Sequence, residues 1–316
     1  MEILKALVVL VIGFVLLIKG ADFFVEGSSA VAKKLRVPSI IIGLTIVAMG
    51  TSLPECAVSV TASLNNNNAL AVSNVVGSNI FNLMVVCGMC ALFCPLLVQK
   101  ETLKKEFPFS ILCAALLLVL GAAGMEVGLI DGIIFCVLFV GYIATMVKSA
   151  LNARKDTTKV TEEESSVKLS VLSCILFIVG GMIAIKFGGD FVVDGAVTIA
   201  EIVGMSENLI GLTIVALGTS LPELVTSVVA AKKNELDMAL GNVIGSNIFN
   251  ILFVLGIAAV ISPVSFIMEN VIDIVLLIAM SLLVLGFAWT KQKIERKEGI
   301  IMLVIYVIYL VYICVR

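Results

Sequence analysis

The hexapeptide Gly-Thr-Ser-Leu-Pro-Glu occurs twice in this chain, at residues 50–55 and at residues 218–223. Each copy places a carboxylate, Glu55 or Glu223, directly after a proline inside a long apolar segment. If such a segment crosses a membrane, a carboxylate at its centre costs about 2.5 to 3.5 kcal/mol on insertion scales. The chain carries two such carboxylates at matched positions, with no lysine or arginine in the helix cores beside them. Both glutamates are therefore candidate ligands of a cation.

The proline of each hexapeptide predicts a broken helix. Pro54 has no N–H group and its ring crowds the carbonyl four residues earlier, so the helix kinks or breaks there. Backbone oxygens at 48–51 are then freed, which a membrane protein tolerates where they line a cavity or hold an ion. Thr51 and Ser52 add hydroxyls, and Glu55 falls on the first turn of the second half-helix, where the helix dipole favours a carboxylate.

A second pair of motifs offers amide and hydroxyl oxygens. Residues 74–82 read NVVGSNIFN, and NVIGSNIFN follows 168 positions later. Asn74, Ser78 and Asn82 recur at every fourth position, roughly on one polar face of a helix,. For Ser78 and Asn82 this favours a role in coordination. Asn79 and Asn247 are better suited to hydrogen bonds between helices.

This donor set is typical of a hard cation. The chain has no histidine, and oxygen ligands suit Ca²⁺, which takes about 6 to 8 of them, whereas Zn²⁺ prefers nitrogen and sulfur. Na⁺ is close to Ca²⁺ in radius, and two carboxylates balance one Ca²⁺ or two Na⁺. Mutual exclusion at one cage is a physical basis for ion exchange. A soft-metal site at Cys87, Cys90 and Cys94 is a weaker alternative, because buried cysteines usually serve in packing.

The composition is that of an integral membrane protein. The 316 residues are 60% hydrophobic and 14% charged, with a mean hydropathy of +1.18, whereas soluble domains are about 25% charged. A spanning helix needs about 20 apolar residues. Polar residues divide the chain into about ten such segments, near 3–20, 39–64, 69–96, 107–124, 128–148, 169–188, 207–231, 237–262, 269–289 and 299–315. We therefore expect an all-α fold of ten transmembrane helices.

The chain is also an internal duplication. A shift of 168 residues aligns Glu55 with Glu223 and continues without a gap through both motifs,. Each half has about five spans, an odd number, so the second half enters the membrane from the opposite side, as in many secondary transporters. We expect two five-helix repeats of inverted topology. They cover 1–150 and 169–316, with a polar linker at 151–168 and motif segments at 43–82 and 211–250.

Basic residues predict the orientation. Lysine and arginine near span ends stay in the cytoplasm, and 17 of the 21 in this chain fall in alternate connections, including the 151–168 linker. We therefore expect a multi-pass protein of the cell membrane, inner or plasma, with both termini outside the cytoplasm.

Four further acids lie outside the motifs. Asp22 and Glu26 in the first half match Asp190 and Asp194 in the second, and a lysine precedes each set by about one helical turn. Snorkelling of each lysine, or an ion pair within each helix, is the favoured interpretation. A vestibule that attracts cations is the alternative.

The paired motifs resemble those of the calcium/cation antiporter superfamily, whose sodium/calcium exchangers carry two alpha-repeats. The resemblance covers all ten predicted spans and implies secondary active antiport of Na⁺ against Ca²⁺ by alternating access. By position, Glu55 and Glu223 resemble the central Ca²⁺ ligands. The surrounding Na⁺ and Ca²⁺ ligands that it implies are Thr51, Ser52, Ser78, Asn82, Thr219, Ser220, Ser246 and Asn250, with the carbonyls of Ala48 and Ala216.

Features of the sequence itself bear on the alternative functions. A proton/calcium exchanger stays open, because buried glutamates can titrate. A cation channel is disfavoured by the inverted repeat, and an enzyme by the absence of histidine and of a catalytic partner for the motif serines. Some branches of the family, including those that co-transport K⁺, have aspartate where this chain has Asn250. The expected partners are Ca²⁺, Na⁺ and the lipid bilayer, with no cofactor, no nucleic acid and no required oligomer.

Overall fold

The computed structural model describes residues 2–65, 69–157, 169–205, 214 and 216–315. Most of the linker predicted at 151–168 lies outside these ranges. So do the first residues of the 211–250 motif and of the span predicted at 207–231. Within the described ranges the protein is mostly helical, with two short strand pairs.

The elements follow one another in a simple order. The helices are α1 Glu2–Leu35, α2 Ser39–Thr51, α3 Leu53–Leu64, α4 Leu70–Phe93, α5 Lys100–Lys104, α6 Glu106–Gly124, α7 Leu129–Thr157, α8 Val171–Ile202, α9 Ala216–Gly218, α10 Leu221–Lys232, α11 Leu236–Ile261, α12 Met268–Lys291 and α13 Arg296–Val315. The strands are β1 Leu96–Leu97, β2 Glu126–Val127, β3 Val264–Ser265 and β4 Lys293–Ile294.

The described residues contain eight helices long and apolar enough to cross a membrane, and α2 with α3 makes a ninth as one bent span. The protein is therefore a multi-pass membrane protein. Of the span predicted at 207–231, the structure describes residue 214 and the residues from Ala216 onward, which include α9 and α10. The count of ten helices thus stays a prediction.

The predicted helix break is confirmed at both hexapeptides. Helix α2 ends at Thr51, and α3 starts at Leu53 with an angle of 48° between them. Ser52 at the break has φ −84° and ψ 12°, and its counterpart Ser220 has φ −95° and ψ 4°. Proline is at the first or second position of both following helices, where its missing N–H is harmless.

Helices α1 and α8 are longer than predicted, because they continue through their charged residues. The spans expected to end near 20 and 188 extend to Leu35 and Ile202. In α1, small residues beyond the predicted end are buried, among them Gly27 and Ala32. A polar residue on the exposed face of a helix does not end the helix when the opposite face stays buried.

Small residues also let α1 and α8 pack backbone to backbone. A Cβ placed on Gly20 would lie 2.9 Å from the backbone nitrogen of Ile185, and one on Gly13 would lie 2.7 Å from that of Val192. Gly27 lies beside Cys174. Residue numbers rise on α1 as they fall on α8, so the two helices run antiparallel.

Two helices form the centre of the bundle. Each spanning helix has an apolar stretch of 18 residues. In α4 and α11, 78% of this stretch is buried, against at most 39% in the other single-helix spans that the structure describes. The strand pairs join loops of the two halves: β1 pairs with β4, and β2 with β3, both antiparallel. Both motif pairs therefore lie at or beside the most enclosed part of the molecule.

Candidate cation site

The two motif glutamates lie at the centre of the bundle and are fully buried. Glu55 is in the first turn of α3, and Glu223 is in the first turn of α10. Each accepts a hydrogen bond from the motif serine of the other half. Ser220 Oγ donates to Glu55 Oε1 at 3.0 Å, and Ser52 Oγ donates to Glu223 Oε1 at 2.8 Å. The two helix breaks therefore face each other and share their polar groups.

Two asparagines tie these half-helices to the central helices. Asn74 Nδ2 donates to the Glu55 carbonyl at 3.3 Å and to Ser59 Oγ at 3.0 Å. Asn242, 168 residues later, donates to the Glu223 carbonyl at 3.5 Å and to the corresponding serine at 2.9 Å. The spacing in the sequence predicts that Asn74 lies on the polar face of its helix but does not predict these hydrogen bonds. The presence of an asparagine at the matched position, Asn242, was the one signal that both have a structural role.

The second motif adds a serine to the first carboxylate. Ser78 Oγ on α4 lies 3.4 Å from Glu55 Oε1 and 3.0 Å from Ser220 Oγ. The hydroxyl of its counterpart Ser246, on α11, has a different partner and lies 3.5 Å from the carbonyl oxygen of Ala48. The two halves are therefore alike in sequence but differ in detail at the site.

Four acceptor oxygens at this centre are buried and have no hydrogen-bond partner among the described residues. They are Oε2 of Glu55 and of Glu223, and Oδ1 of Asn82 and of Asn250. An unsatisfied buried polar atom costs about 1 to 3 kcal/mol, and more if it is charged. Such a set calls for an explanation, and a bound cation supplies one.

The amide nitrogens of the two asparagines are occupied. Asn82 Nδ2 donates to Asn247 Oδ1 at 3.3 Å, and Asn250 Nδ2 donates to Asn79 Oδ1 at 3.1 Å. Asn82 and Asn250 each begin a π-helical turn, at Asn82–Val86 and Asn250–Leu255. Such turns often occur at functional sites. Sequence reasoning missed them, because no residue type specifies them.

The remaining candidate residues differ in their hydrogen-bond partners. The Thr51 hydroxyl contacts the Val47 carbonyl at 3.1 Å and Asn242 Oδ1 at 3.0 Å, and the carbonyl of Ala48 lies 3.3 Å from the same hydroxyl. The Thr219 hydroxyl is buried and without a hydrogen-bond partner in the described part of the chain. Ala216 begins α9, and residue 215 directly before it lies outside the described residues.

The acids outside the motifs behave differently in the two halves. The predicted pair within a helix is confirmed for Lys186 and Asp190. For α1 the expectation of a pair within the helix was wrong, because Asp22 and Glu26 lie 2.6 Å and 3.6 Å from Lys233, in the turn between α10 and α11. This turn packs against α1, so a lysine distant in sequence becomes the nearer partner.

The same turn carries a second contact to α1 and α2. Glu235 accepts hydrogen bonds from Ser29 and from Ser39, and Lys33 Nζ lies 3.8 Å from it. The matching positions of the first half, 65–67, are all asparagine. This charged contact therefore distinguishes the two halves.

Comparison with known proteins agrees with this architecture. The family described as "Sodium/calcium exchanger protein" matches residues 5–148 and 173–315. The CaxA protein of Alkalimonas amylolytica is 40% identical over 97% of this chain and 98% of its own. The sodium/calcium exchanger MaX1 of Methanosarcina acetivorans is 33% identical over 96% and 97%.

Among solved structures, the sodium-calcium exchanger NCX_Mj soaked with Na⁺ and Sr²⁺ superposes with a TM-score of 0.85 at 34% identity. The match covers 98% of this chain and 99% of that one. Family, sequence and structure comparisons therefore agree over nearly the whole length. The chain belongs to the sodium/calcium exchanger family, a family of membrane transporters that move calcium and other cations by antiport.

Proposed function

We propose that this protein is a secondary active antiporter that exchanges Na⁺ for Ca²⁺ at one shared site. The observation that carries the proposal is the group of four buried oxygens without hydrogen-bond partners, two from the carboxylates of Glu55 and Glu223 and two from the amides of Asn82 and Asn250. Only oxygens are offered, which suits Ca²⁺ and Na⁺ over softer metals. Two carboxylates balance one Ca²⁺ or two Na⁺, so the two cargoes exclude each other.

The proposed ligand set extends beyond these four side chains. Glu55 and Glu223 bind Ca²⁺ and Na⁺ at the centre. The surrounding oxygens come from Thr51, Ser52, Ser78, Asn82, Thr219, Ser220, Ser246 and Asn250, and from the carbonyls of Ala48 and Ala216. No cofactor takes part. NCX_Mj was soaked with Na⁺ and Sr²⁺ in one structure and with Na⁺ and Ca²⁺ in another. This supports Na⁺ and Ca²⁺ as the transported ions here.

We also propose that the chain consists of two repeats of inverted topology, an architecture that suits this function. The repeats are 1–150 and 169–316, each with five spans, which makes ten helices with the 151–168 linker between them. Two observations support this: the matched helices α1 and α8 run antiparallel along their glycines, and the motif serines bond the glutamates crosswise. Related halves of opposite orientation can expose a central site to each face in turn.

The test of the coupling ion is calcium-isotope uptake into proteoliposomes. The full chain is reconstituted, and the vesicles are loaded with Na⁺, with K⁺, or with acidic buffer. We expect uptake only when an outward Na⁺ gradient is present. K⁺ should not be required, because Asn250 lacks the charge that aspartate supplies at this position in the branches that co-transport K⁺. Uptake driven only by the acid interior would make the protein a proton/calcium exchanger. Uptake indifferent to every gradient would exclude antiport.

Membrane orientation gives a separate prediction. Both termini are proposed to lie outside the cytoplasm, with the linker inside. A variant that keeps only Cys314 of the native cysteines, which is exposed at the end of α13, should react with a membrane-impermeant maleimide on intact cells. A cysteine-free variant with Lys155→Cys should react only after permeabilisation. The opposite result would invert the assigned topology.

A further inference from the structure

Asn79 and Asn247 form a reciprocal contact where α4 meets α11. Asn79 Nδ2 donates to the backbone carbonyl of Asn247 at 3.1 Å, and Asn247 Nδ2 donates to that of Asn79 at 3.2 Å. Both side chains are buried. Each therefore uses its amide nitrogen on the backbone of the opposite half, and its side-chain oxygen remains for another partner.

That oxygen accepts a hydrogen bond from the amide nitrogen of a proposed cation ligand. Asn79 Oδ1 accepts from Asn250 Nδ2 at 3.1 Å, and Asn247 Oδ1 accepts from Asn82 Nδ2 at 3.3 Å. An asparagine amide has its oxygen on one side and its hydrogens on the other. Holding the nitrogen of Asn82 or Asn250 therefore turns the oxygen away, and those oxygens are two of the four without a hydrogen-bond partner in the described residues.

We infer that Asn79 and Asn247 are crossed positioning residues, in which each fixes the amide orientation of the asparagine ligand of the other half. The inference rests on the proposed function, because it requires Asn82 and Asn250 to bind the cation. The two amide orientations have nearly the same shape, so packing alone does not choose between them. The wrong one presents two N–H groups to a cation and repels it.

This role differs from the simple helix–helix hydrogen bonding that the sequence favoured for these residues. A bond that only joins helices contributes to stability, and its loss affects all ion ligands alike. A positioning bond is specific to its partner. Removal of Asn79 should act through Asn250, and removal of Asn247 should act through Asn82.

The test is a pair of double-mutant cycles on the full-length protein in detergent. Calcium affinity is measured by isothermal titration with CaCl₂ in Na⁺-free buffer, and the melting temperature Tm is recorded for each variant. Partners that orient metal ligands change affinity by about 10- to 100-fold when removed. We therefore expect Asn79→Ala to weaken calcium binding about tenfold or more. Ser73→Ala removes another hydrogen bond of the same helix, to Asn270, and should leave affinity unchanged.

The cycles then identify the partner. With Asn250→Ala already present, adding Asn79→Ala should cause less than about a twofold further loss, because the shared contact is gone. With Asn82→Ala present, the loss from Asn79→Ala should persist in full. Asn247→Ala should show the reverse pattern. Where Asn79→Ala does not fold, Asn79→Leu, of nearly the same volume, and the Asn247 cycle provide the same comparison.

Two failures are distinguishable. If Asn82→Ala and Asn250→Ala leave calcium affinity unchanged, the proposed ligand set is wrong, and this inference is overturned with it. If they weaken binding but all combinations with Asn79 and Asn247 are additive, the ligand set survives and the crossed positioning role is overturned. A drop in Tm with no change in affinity would also leave these residues with a structural role only.

Discussion

Replacing Glu55 or Glu223 with glutamine is expected to abolish calcium transport. Glutamine matches glutamate in shape and can still accept the hydrogen bond from Ser220 or Ser52, so the fold should be kept. What it removes is one of two buried charges. A divalent cation is then left with one carboxylate in an enclosed site, and unbalanced buried charge costs about 3 to 5 kcal/mol. We therefore expect the rate of Ca²⁺ uptake into proteoliposomes to fall by at least about 100-fold.

The control for this prediction is Glu101→Gln. Glu101 is an exposed carboxylate paired with Lys105 near the start of α6, and exposed pairs contribute little. Its variant should transport at the wild-type rate. The account would be contradicted if Glu55→Gln or Glu223→Gln, folded by size-exclusion chromatography, kept more than about a tenth of wild-type uptake, because at least about a 100-fold loss is expected.

The second large effect is on folding, at the contact between α1 and α8. A Cβ on Gly181 would lie 2.8 Å from the carbonyl oxygen of Gly20 and 2.8 Å from the backbone nitrogen of Phe24. These are backbone atoms, so neither can move aside like a side chain. Gly181→Val must therefore push the two longest helices apart. Overpacking costs about 1 to 3 kcal/mol and occasionally more, and we expect the upper end of that range.

The neighbouring glycine provides a matched control. A Cβ on Gly180 would meet no atom within 4 Å, and Gly180→Val adds the same side chain to the same helix on its exposed face. Thermal unfolding in detergent should show a lowered midpoint for Gly181→Val and little change for Gly180→Val. Equal midpoints for the two variants would mean that the close approach of α1 and α8 is not needed for stability.

Much of the site could be predicted from sequence because its signals are local. Proline fixes where a helix breaks, so Pro54 and Pro222 predicted both breaks correctly. A carboxylate in an apolar segment is costly and therefore indicates a function, which made Glu55 and Glu223 candidate ligands without any tertiary information. The duplication strengthened both interpretations, because the same features recur at matched positions.

The rest depends on which segments meet in three dimensions. Nothing in the hexapeptide shows that Ser52 bonds Glu223 while Ser220 bonds Glu55. Similarly, Asp22 has a lysine nearby in sequence, yet the turn that brings Lys233 against α1 decides its partner. The ends of α1 and α8 were placed too early for the same reason, since burial of one helix face against a distant segment outweighs the polar residues on the other.

Competition between the two cargo ions for one site is the central claim, and calcium binding at a series of sodium concentrations tests it most directly. Purified protein is titrated with CaCl₂ by isothermal calorimetry, with choline replacing Na⁺ to hold ionic strength constant. Because two carboxylates balance two Na⁺ or one Ca²⁺, the apparent Kd for calcium should rise roughly as the square of the Na⁺ concentration, by linked binding to one site. Glu223→Gln should show no calcium binding at the CaCl₂ concentrations that saturate the wild-type protein. A calcium Kd that does not change with Na⁺ would contradict a shared site, and with it the exchange mechanism proposed here.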